Sequence, residues 1–140
     1  MDHTATMRRT YELISAGDID GFGDLLAENF VEHQEAPGLP PTKAGVLDLF
    51  RGYRAAFPDM HMEAIEVLPS GDRTVARVKV SGTQGGDFLG IPASGRHAEV
   101  DLIDIMRFDD TGLVCEHWGV ADMLSLLQQL GAIPEGAATS

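Results

Sequence analysis

Apolar residues in the first half of the chain recur at the spacing of α-helices. In residues 4–16, the apolar positions Met7, Tyr11 and Ile14 lie three or four apart, and Gly17 follows as a stop. The same pattern predicts a short helix after an Asp18 cap, with Phe22, Leu25 and Leu26, and a third helix that begins after a Thr42 cap and runs through Phe57. Pro58 ends this third helix, because the residue before a proline is pushed out of helical geometry.

In the second half, apolar and polar positions alternate as they do in half-buried β-strands. Ala76, Val78 and Val80 share one face of a predicted strand over 74–83. Further strands are predicted over 64–68, 97–108 and 113–120, and a closing helix is predicted from Met123 to Leu130 after an Asp122 cap. This order of elements predicts an α+β fold, in which helices cover a curved, mostly antiparallel sheet.

The composition is that of one acidic globular domain. Hydrophobic residues make up 44% of the 140 positions, and 10 Lys and Arg against 22 Asp and Glu give a formal net charge of −12. This charge disfavours nucleic acid and anionic membranes as partners, since both bind concentrated positive charge. No apolar run approaches the ~20 residues of a membrane span. We expect residues 1–140 to form a single domain, with 134–140 as a loose tail.

The sequence argues against secretion and against several kinds of site. The polar start of the chain differs from a secretion signal, so a cytoplasmic location is expected. A single cysteine, Cys115, excludes an internal disulfide and is expected to be a small core residue. A metal held by His33, His117 and Asp104 has no recognisable ligand spacing. Phosphate-loop and dinucleotide motifs do not occur in the sequence, so we expect neither a metal nor a cofactor.

One carboxylate interrupts an apolar row in the strand over 97–108. Asp104 shares a face there with five apolar residues: Ala98, Val100, Leu102, Met106 and Phe108. A buried carboxylate must find hydrogen-bond donors or stay protonated, so Asp104 is either a satisfied structural group or a functional one. His117, in the hairpin partner strand, reaches Asp104 if the two share a face. Such a pair is a usable general acid/base; the alternative is a partly exposed strand histidine.

Two further polar residues allow two interpretations each. His33 lies in the break after the second predicted helix, where it is either a polar group at a pocket rim or an exposed surface residue. Asp122 is a second carboxylate near the same strand, although its place before Met123 favours helix capping.

Four short segments follow one another in a recognisable order. They are Phe88–Arg96, Ile103–Phe108, Glu116–Trp118 and Leu127–Gly131. Their order and spacing resemble the SnoaL-like polyketide cyclase family, within the nuclear transport factor 2-like superfamily. With the N-terminal helices and the Glu32-His33 segment, the resemblance covers nearly the whole chain. It specifies a reaction less closely than a family, because this superfamily hosts cyclases, isomerases, epoxide hydrolases, hydroxylation-associated proteins and inactive members.

The resemblance implies a cone-shaped domain with a helix-lidded apolar pocket, and a homodimer or homotetramer. Family cyclases close a ring by intramolecular aldol condensation without metal or cofactor, using an aspartate as acid/base. Aligning the closing helix puts that aspartate at Gly119, which cannot transfer a proton. The two supporting polar positions of the family fall at Leu102 and Asp104, of which only Asp104 is polar. The alignment also puts His117 on the pocket face, and Trp118 and Arg107 on the reverse of the sheet.

These observations predict a cofactor-free enzyme acting on an apolar small molecule that is bulky and carbonyl-bearing or polycyclic. In an aldol cyclisation or isomerisation, His117 would be the acid/base group and Asp104 would orient it. The other expected substrate contacts are polar groups at the pocket rim, apolar walls and the Gly119 position: His33, Gln84, Phe88, Tyr53, Met106 and Gly119.

Two alternatives stay open at the level of the sequence. One is a water-adding enzyme of the same fold, either an epoxide hydrolase or a hydroxylation accessory, with an ordered water between Asp104 and His117. The other is a non-catalytic small-molecule-binding domain, which is favoured by Gly119 at the position of the family base.

Overall fold

The computed structural model describes residues 2–34 and 36–134. The elements are α1 (His3–Ser15), α2 (Ile19–Gly23), β1 (Leu26–Glu32), α3 (Lys43–Ala56), β2 (His61–Ser70), β3 (Arg73–Thr83), β4 (His97–Phe108), β5 (Val114–Ala121) and α4 (Met123–Gln129). Residues 135–140, most of the predicted tail, lie outside the described residues.

The five strands form one sheet in the order β1-β5-β4-β3-β2. The pairs β2–β3, β3–β4 and β4–β5 are antiparallel. β1 lies at the edge of the sheet and pairs parallel to β5. α1 packs against β2 and β3, α3 against β1, and α4 against β4. The predicted α+β architecture is therefore confirmed, with one parallel strand pair in an otherwise antiparallel sheet.

Side-chain caps begin the helices where the sequence predicted them. Asp18, Thr42 and Asp122 each accept a hydrogen bond from a backbone N–H three residues later, which satisfies an amide that the first helical turn leaves unpaired. Gly17 and Gly131 follow α1 and α4 with φ of +80° and +79°, a left-handed geometry that ends a helix at low cost in glycine. Asp122 is thus a helix cap, as expected.

The prediction was wrong for the segment after α2, where the structure has strand β1. The apolar pairs in Leu26–Val31 are spaced as on a helix, and we expected Leu26 to belong to α2 and His33 to follow a helical segment. Pairing with β5 overrides this local pattern by supplying backbone partners at both ends of β1. The Val114 amide donates to the Leu25 carbonyl at 2.9 Å, and the His33 amide donates to the His117 carbonyl at 2.9 Å.

The core lies between the helices and one face of the sheet. Met7, Tyr11 and Ile14 of α1 pack there with Ala76 and Val78 of β3, all nearly inaccessible to solvent. Burial of this apolar surface is the main term that stabilises the domain. Among the described residues, the helices are all too short or too polar to cross a membrane.

Candidate active site

A cavity of about 530 Å³ lies between the helices and this apolar face of the sheet. Its walls are mostly aliphatic and aromatic, and they include the three residues predicted for that role, Tyr53, Phe88 and Met106. A small set of polar residues opens into the same space: Tyr11, Glu32, Gln34, Asp48, Ser81, Asp87, Asp104 and His117. A large apolar pocket with a few convergent polar groups is typical of a small-molecule site.

Asp104 and His117 meet at this cavity. The imidazole Nε2 of His117 lies 2.6 Å from Oδ1 of Asp104, a direct hydrogen bond. The β4–β5 register pairs Asp104 with Gly119 and Met106 with His117, so the two functional side chains are diagonal neighbours on one face. Asp104 is 5% exposed, which makes it a buried carboxylate with a defined partner. The structure thus brings the two predicted residues together on the cavity face.

Glu32 is a member of this cluster that the sequence reasoning missed. Its Oε2 lies 2.5 Å from Nδ1 of His117, so the imidazole is held between two carboxylates. The parallel β1–β5 register pairs Glu32 directly with His117. Glu32 is predictable as a site residue only if residues 26–32 are assigned to a strand, because a helix would not place Glu32 beside β5.

Tyr11 completes the cluster from the helical side of the cavity. Its phenolic O–H donates to Oδ2 of Asp104 at 2.8 Å, and the residue is 3% exposed. The helical spacing of α1 marked Tyr11 as a core residue, and the polar end of its ring gave no further signal. Glu32, His117, Asp104 and Tyr11 form one continuous hydrogen-bonded chain.

The electrostatics of this chain favour a charged imidazole. Burial disfavours the imidazolium, but the hydrogen bonds to Asp104 and Glu32 and their negative charges outweigh it and raise the pKa of His117 to about 10. Burial, together with the charge and hydrogen bond of Asp104, raises the pKa of the Tyr11 phenol. At neutral pH the cluster therefore holds an imidazolium and a neutral phenol.

Gly119 is required where it lies, because the cluster fills the space over its Cα. A Cβ at residue 119 would overlap Oε1 of Gln34 and would lie 2.7 Å from Oδ1 of Asp104 and 2.9 Å from Cε1 of His117. Side chains from β4, β5 and the segment after β1 thus occupy the volume of the aspartate that the resemblance places at this position. Gln34, which also lines the cavity, was not predicted as a site residue.

Three predicted substrate contacts do not line the cavity: His33, Gln84 and Gly119, which the cluster covers. His33 is on the reverse of the sheet, where its Nε2 lies 2.7 Å from Oε2 of Glu116 and its ring stacks on Trp118 at 4.7 Å. The reason is strand alternation, since Glu32 faces the cavity and the next residue faces away. Gln84 is fully buried, and its amide group bonds the Ile91 carbonyl, the Ser94 amide and the Ser94 hydroxyl. It fixes the loop between β3 and β4 and does not line the cavity.

The reverse face carries the residues that the sequence placed there. Arg107 donates from Nε to Oε1 of Glu116 at 2.5 Å, and the Arg73 guanidinium lies over the Trp118 ring at 4.8 Å. Hydrogen bonds from His33 and Arg107 lower the pKa of Glu116. These groups form a polar network outside the cavity.

The remaining sequence candidates do not extend the site. Cys115 is buried, as predicted, and burial raises the pKa of its thiol, so it is poorly suited to act as a nucleophile. The β4–β5 pairing has a β-bulge between Arg107 and Phe108. Beyond the bulge Phe108 pairs with Val114, and Val114 lines the cavity. Within 2–34 and 36–134, no group of three or more His, Cys, Asp or Glu side chains has a metal-holding arrangement.

Comparison with known proteins identifies the family of the chain. The family model for SnoaL-like polyketide cyclase matches residues 4–130. The aklanonic acid methyl ester cyclase DnrD of Streptomyces peucetius is 26% identical over 138 residues, which cover 93% of each chain.

Two solved structures from the same bacterial genus are similar over almost the whole chain. AclR of Streptomyces galilaeus, a proposed hydroxylase, superposes with a TM-score of 0.84 at 28% identity, covering 95% of this chain and 83% of its own. IdmH of Streptomyces antibioticus, a proposed polyketide cyclase, gives a TM-score of 0.81 at 30% identity, covering 94% and 99%. The chain belongs to the SnoaL-like polyketide cyclase family.

Proposed function

We propose that this protein is a cofactor-free enzyme that carries out a cyclase-type aldol reaction or an isomerisation on a bulky, apolar molecule that bears carbonyl groups or fused rings. The acid/base unit is His117 with Asp104, which orients it. The observation that carries this proposal is the 2.6 Å contact between His117 Nε2 and Asp104 Oδ1 at a largely apolar cavity of about 530 Å³. Family membership and the 26% identity to DnrD support the cyclase class.

The charge state of His117 supports its proposed part in the reaction. With its pKa raised to about 10 by the two carboxylates, His117 carries a proton at neutral pH and acts in the reaction through its positive charge. An imidazolium near the substrate carbonyl stabilises the enolate that forms when the neighbouring carbon loses its proton, and a positioned acid or base contributes about 10²–10⁴ in rate. An ordinary general base at this position would instead need a neutral imidazole.

The lining of the cavity favours a neutral substrate. Glu32, Asp48, Asp87 and Asp104 open into it, and none of the described residues that line it is a lysine or arginine. A free carboxylate or phosphate on the substrate would meet this negative charge at a cost in binding, because the His117 imidazolium is already paired with Glu32 and Asp104. We therefore propose ketones and esters, rather than free acids, as the substrate class.

Ring closure of aklanonic acid methyl ester tests the proposed function. We expect the wild-type protein to catalyse its cyclisation without added metal or cofactor, and His117→Gln to lose at least a hundredfold in kcat while its thermal unfolding stays cooperative. Catalysis by His117→Gln at the wild-type rate would remove His117 from the mechanism. Tight binding of the ester without any turnover would favour the non-catalytic binding domain.

A second candidate is a role in water addition or hydroxylation, which the similarity to AclR favours. In its simplest form, this candidate requires a water between Asp104 and His117. Their direct 2.6 Å contact leaves no room for one, so the attacking water would have to lie on the cavity side of the pair. Incorporation of ¹⁸O from labelled water into the product would distinguish this candidate from cyclisation, in which no solvent oxygen is retained.

We also propose that two copies associate through the reverse face of the sheet. This reverse face carries an apolar strip with residues from β2, β4 and β5: Leu68 is 55%, Ile103 45% and Val120 75% exposed. Basic and acidic residues are nearly balanced around the strip: Arg73, Arg77, Lys79 and Arg107 against Glu63, Glu66, Glu99, Asp101 and Glu116. In a chain with a formal net charge of −12, this balance lowers the repulsion that a second copy meets here.

A further inference from the structure

Both ring nitrogens of His117 face carboxylates, which leaves open the question of which atom removes the substrate proton. Nδ1 bonds Glu32, and Nε2 bonds Asp104. A protonated imidazole with both N–H groups engaged has no lone pair to offer. The proton acceptor in this cluster must therefore be a carboxylate oxygen.

The two carboxylates differ in how many of their oxygens are already engaged. Oδ1 of Asp104 faces His117 and Oδ2 accepts the Tyr11 hydroxyl, so each oxygen has a donor. Glu32 is bonded only through Oε2. Among the described residues, no donor reaches Oε1, although Glu32 is only 7% exposed and lines the cavity.

The negative charge of Glu32 also reaches across the cavity. Burial, and secondarily the charge of Glu32, raise the pKa of the Tyr53 phenol, and Tyr53 lies on α3 in the cavity wall. No hydrogen bond from this phenol to a described residue occurs. Glu32 Oε1 and the Tyr53 hydroxyl are thus two unengaged polar atoms that open into one apolar space, as expected of groups that meet a ligand.

We propose that Glu32 is the catalytic base of the reaction, with Oε1 as the atom that accepts the proton. This inference rests on the proposed function. The proton leaves the carbon next to the substrate carbonyl for Oε1, and the C–H electron pair moves onto the carbonyl oxygen as an enolate. The enolate carbon then bonds to a second carbonyl carbon, whose oxygen becomes an alkoxide and takes a proton back from Glu32. Atoms and electrons balance without a co-reactant.

An alternative role for Glu32 is to orient His117 without touching the substrate. Glu32→Gln separates the two roles, because the glutamine oxygen still accepts a hydrogen bond from Nδ1 but cannot take up a proton. Asp104→Asn is the matched variant on the other side of the imidazole. Glu28→Gln is the control on the same strand, since the Glu28 side chain is 92% exposed and lies outside the cavity lining.

The experiment measures two rates for each variant with aklanonic acid methyl ester as the probe. One is ring closure, and the other is exchange of the acidic carbon-bound proton for deuterium from solvent, followed by proton NMR. We expect Glu32→Gln to lose at least a thousandfold in both kcat and exchange with a near-wild-type KM. Glu28→Gln should match the wild type, and Glu32→Asp should recover part of the exchange.

The outcomes distinguish this inference from the function on which it rests. A wild-type protein that neither closes the ring nor exchanges the proton overturns the proposed function and this inference with it. If the wild type is active, Glu32→Gln stays within tenfold of it and Asp104→Asn is inactive, the proposed function stands but Glu32 is not the base. The role of base then belongs to Asp104. Loss of exchange in Glu32→Gln with retained cooperative unfolding supports the assignment.

Discussion

His117 and Asp104 lie 13 positions apart in the chain, yet their side chains are 2.6 Å apart because the β4–β5 register makes them diagonal neighbours. Both sit on paired strands rather than on loops, so the backbone ladder fixes their separation. Any change that shifts this register by one residue would place the two side chains on opposite faces of the sheet. The acid/base pair is therefore as stable as the central hairpin of the sheet.

The raised pKa of His117 predicts that the protein loses stability in alkaline solution. In the unfolded chain the imidazole titrates near 6.5, and in the folded protein near 10, so the folded state holds the proton more tightly. This contribution is fully present below pH 6.5 and is lost as the pH rises towards 10. Between these values the free energy of unfolding should fall by up to about 1.4 kcal/mol per pH unit from this group.

Urea unfolding at several pH values, together with ¹⁵N NMR of the imidazole, measures this effect. The His117→Gln variant provides the control and identifies the His117 resonances. Its stability should vary less between pH 7 and 10 than that of the wild type. An imidazole that titrates below pH 7 in the folded protein would contradict the assignment of His117 as an imidazolium at neutral pH.

Replacing Gly119 should damage the site even with the smallest side chain. The Cβ of Gly119→Ala would overlap Gln34 Oε1 and press on Asp104 and His117, which are held by hydrogen bonds. Overpacking of this kind costs about 1–3 kcal/mol. We expect a lower free energy of unfolding and at least tenfold lower kcat, measured by urea titration and ring closure.

Restoring the family aspartate with Gly119→Asp should lower activity further, because its carboxylate needs the volume that the cluster fills. Gly52→Ala is the matched control, since a Cβ on this helical glycine meets nothing within 4 Å. It should stabilise the protein slightly, and the comparison is made in stability because Gly52 lines the cavity. Higher activity in Gly119→Asp than in the wild type would show that the catalytic machinery is still the one usual in the family.

The fold was predictable to the extent that local patterns and long-range pairing agree. The strand over 97–108 alternates cleanly, and its predicted ends coincide with those of β4, while Asp18, Thr42 and Asp122 cap helices as expected. β1 was not predictable in this way, because its apolar spacing is helical and its pairing with β5 makes it a strand. Secondary structure imposed by a distant partner leaves little signal in the segment itself.

The site followed the same limit. Asp104 stood out because a carboxylate broke an apolar row, and His117 because a hairpin partner had to lie beside it. Glu32 depends on the unpredicted parallel pairing, and Tyr11 reaches the site from a helix whose position on the sheet the sequence does not encode locally. His33 was misplaced for the reason that hid Glu32, since both predictions required the alternation of β1.

Tyr11→Phe should show how far the hydrogen bond from Tyr11 to Asp104 contributes to stability and how far to catalysis. The variant removes the O–H that donates to Asp104 Oδ2 and leaves that buried oxygen without this partner. Losing a hydrogen bond to a buried charged group costs about 1–3 kcal/mol, so we expect a lower urea midpoint with an unchanged slope. In kcat we expect a loss of roughly tenfold.

Tyr53→Phe is the comparison for stability, because the Tyr53 phenol has no hydrogen bond to a described residue. It should unfold at nearly the wild-type urea concentration. Equal destabilisation of the two variants would mean that the Tyr11–Asp104 bond does not contribute to folding.

The apolar strip on the reverse face predicts a dimer that one introduced charge would dissociate. Val120 is 75% exposed and pairs across the sheet with Ile103, so Val120→Glu alters the centre of the apolar strip without touching the core. An isolated carboxylate buried between two copies is costly, whereas on a monomer surface the same change is worth within about 0.5 kcal/mol. We expect light scattering to give a dimer mass for the wild type and a monomer mass for Val120→Glu, with equal thermal unfolding at low protein concentration. Leu124→Glu, on α4 and 46% exposed, should remain dimeric. A wild-type protein that is monomeric at millimolar concentration would contradict association through this face.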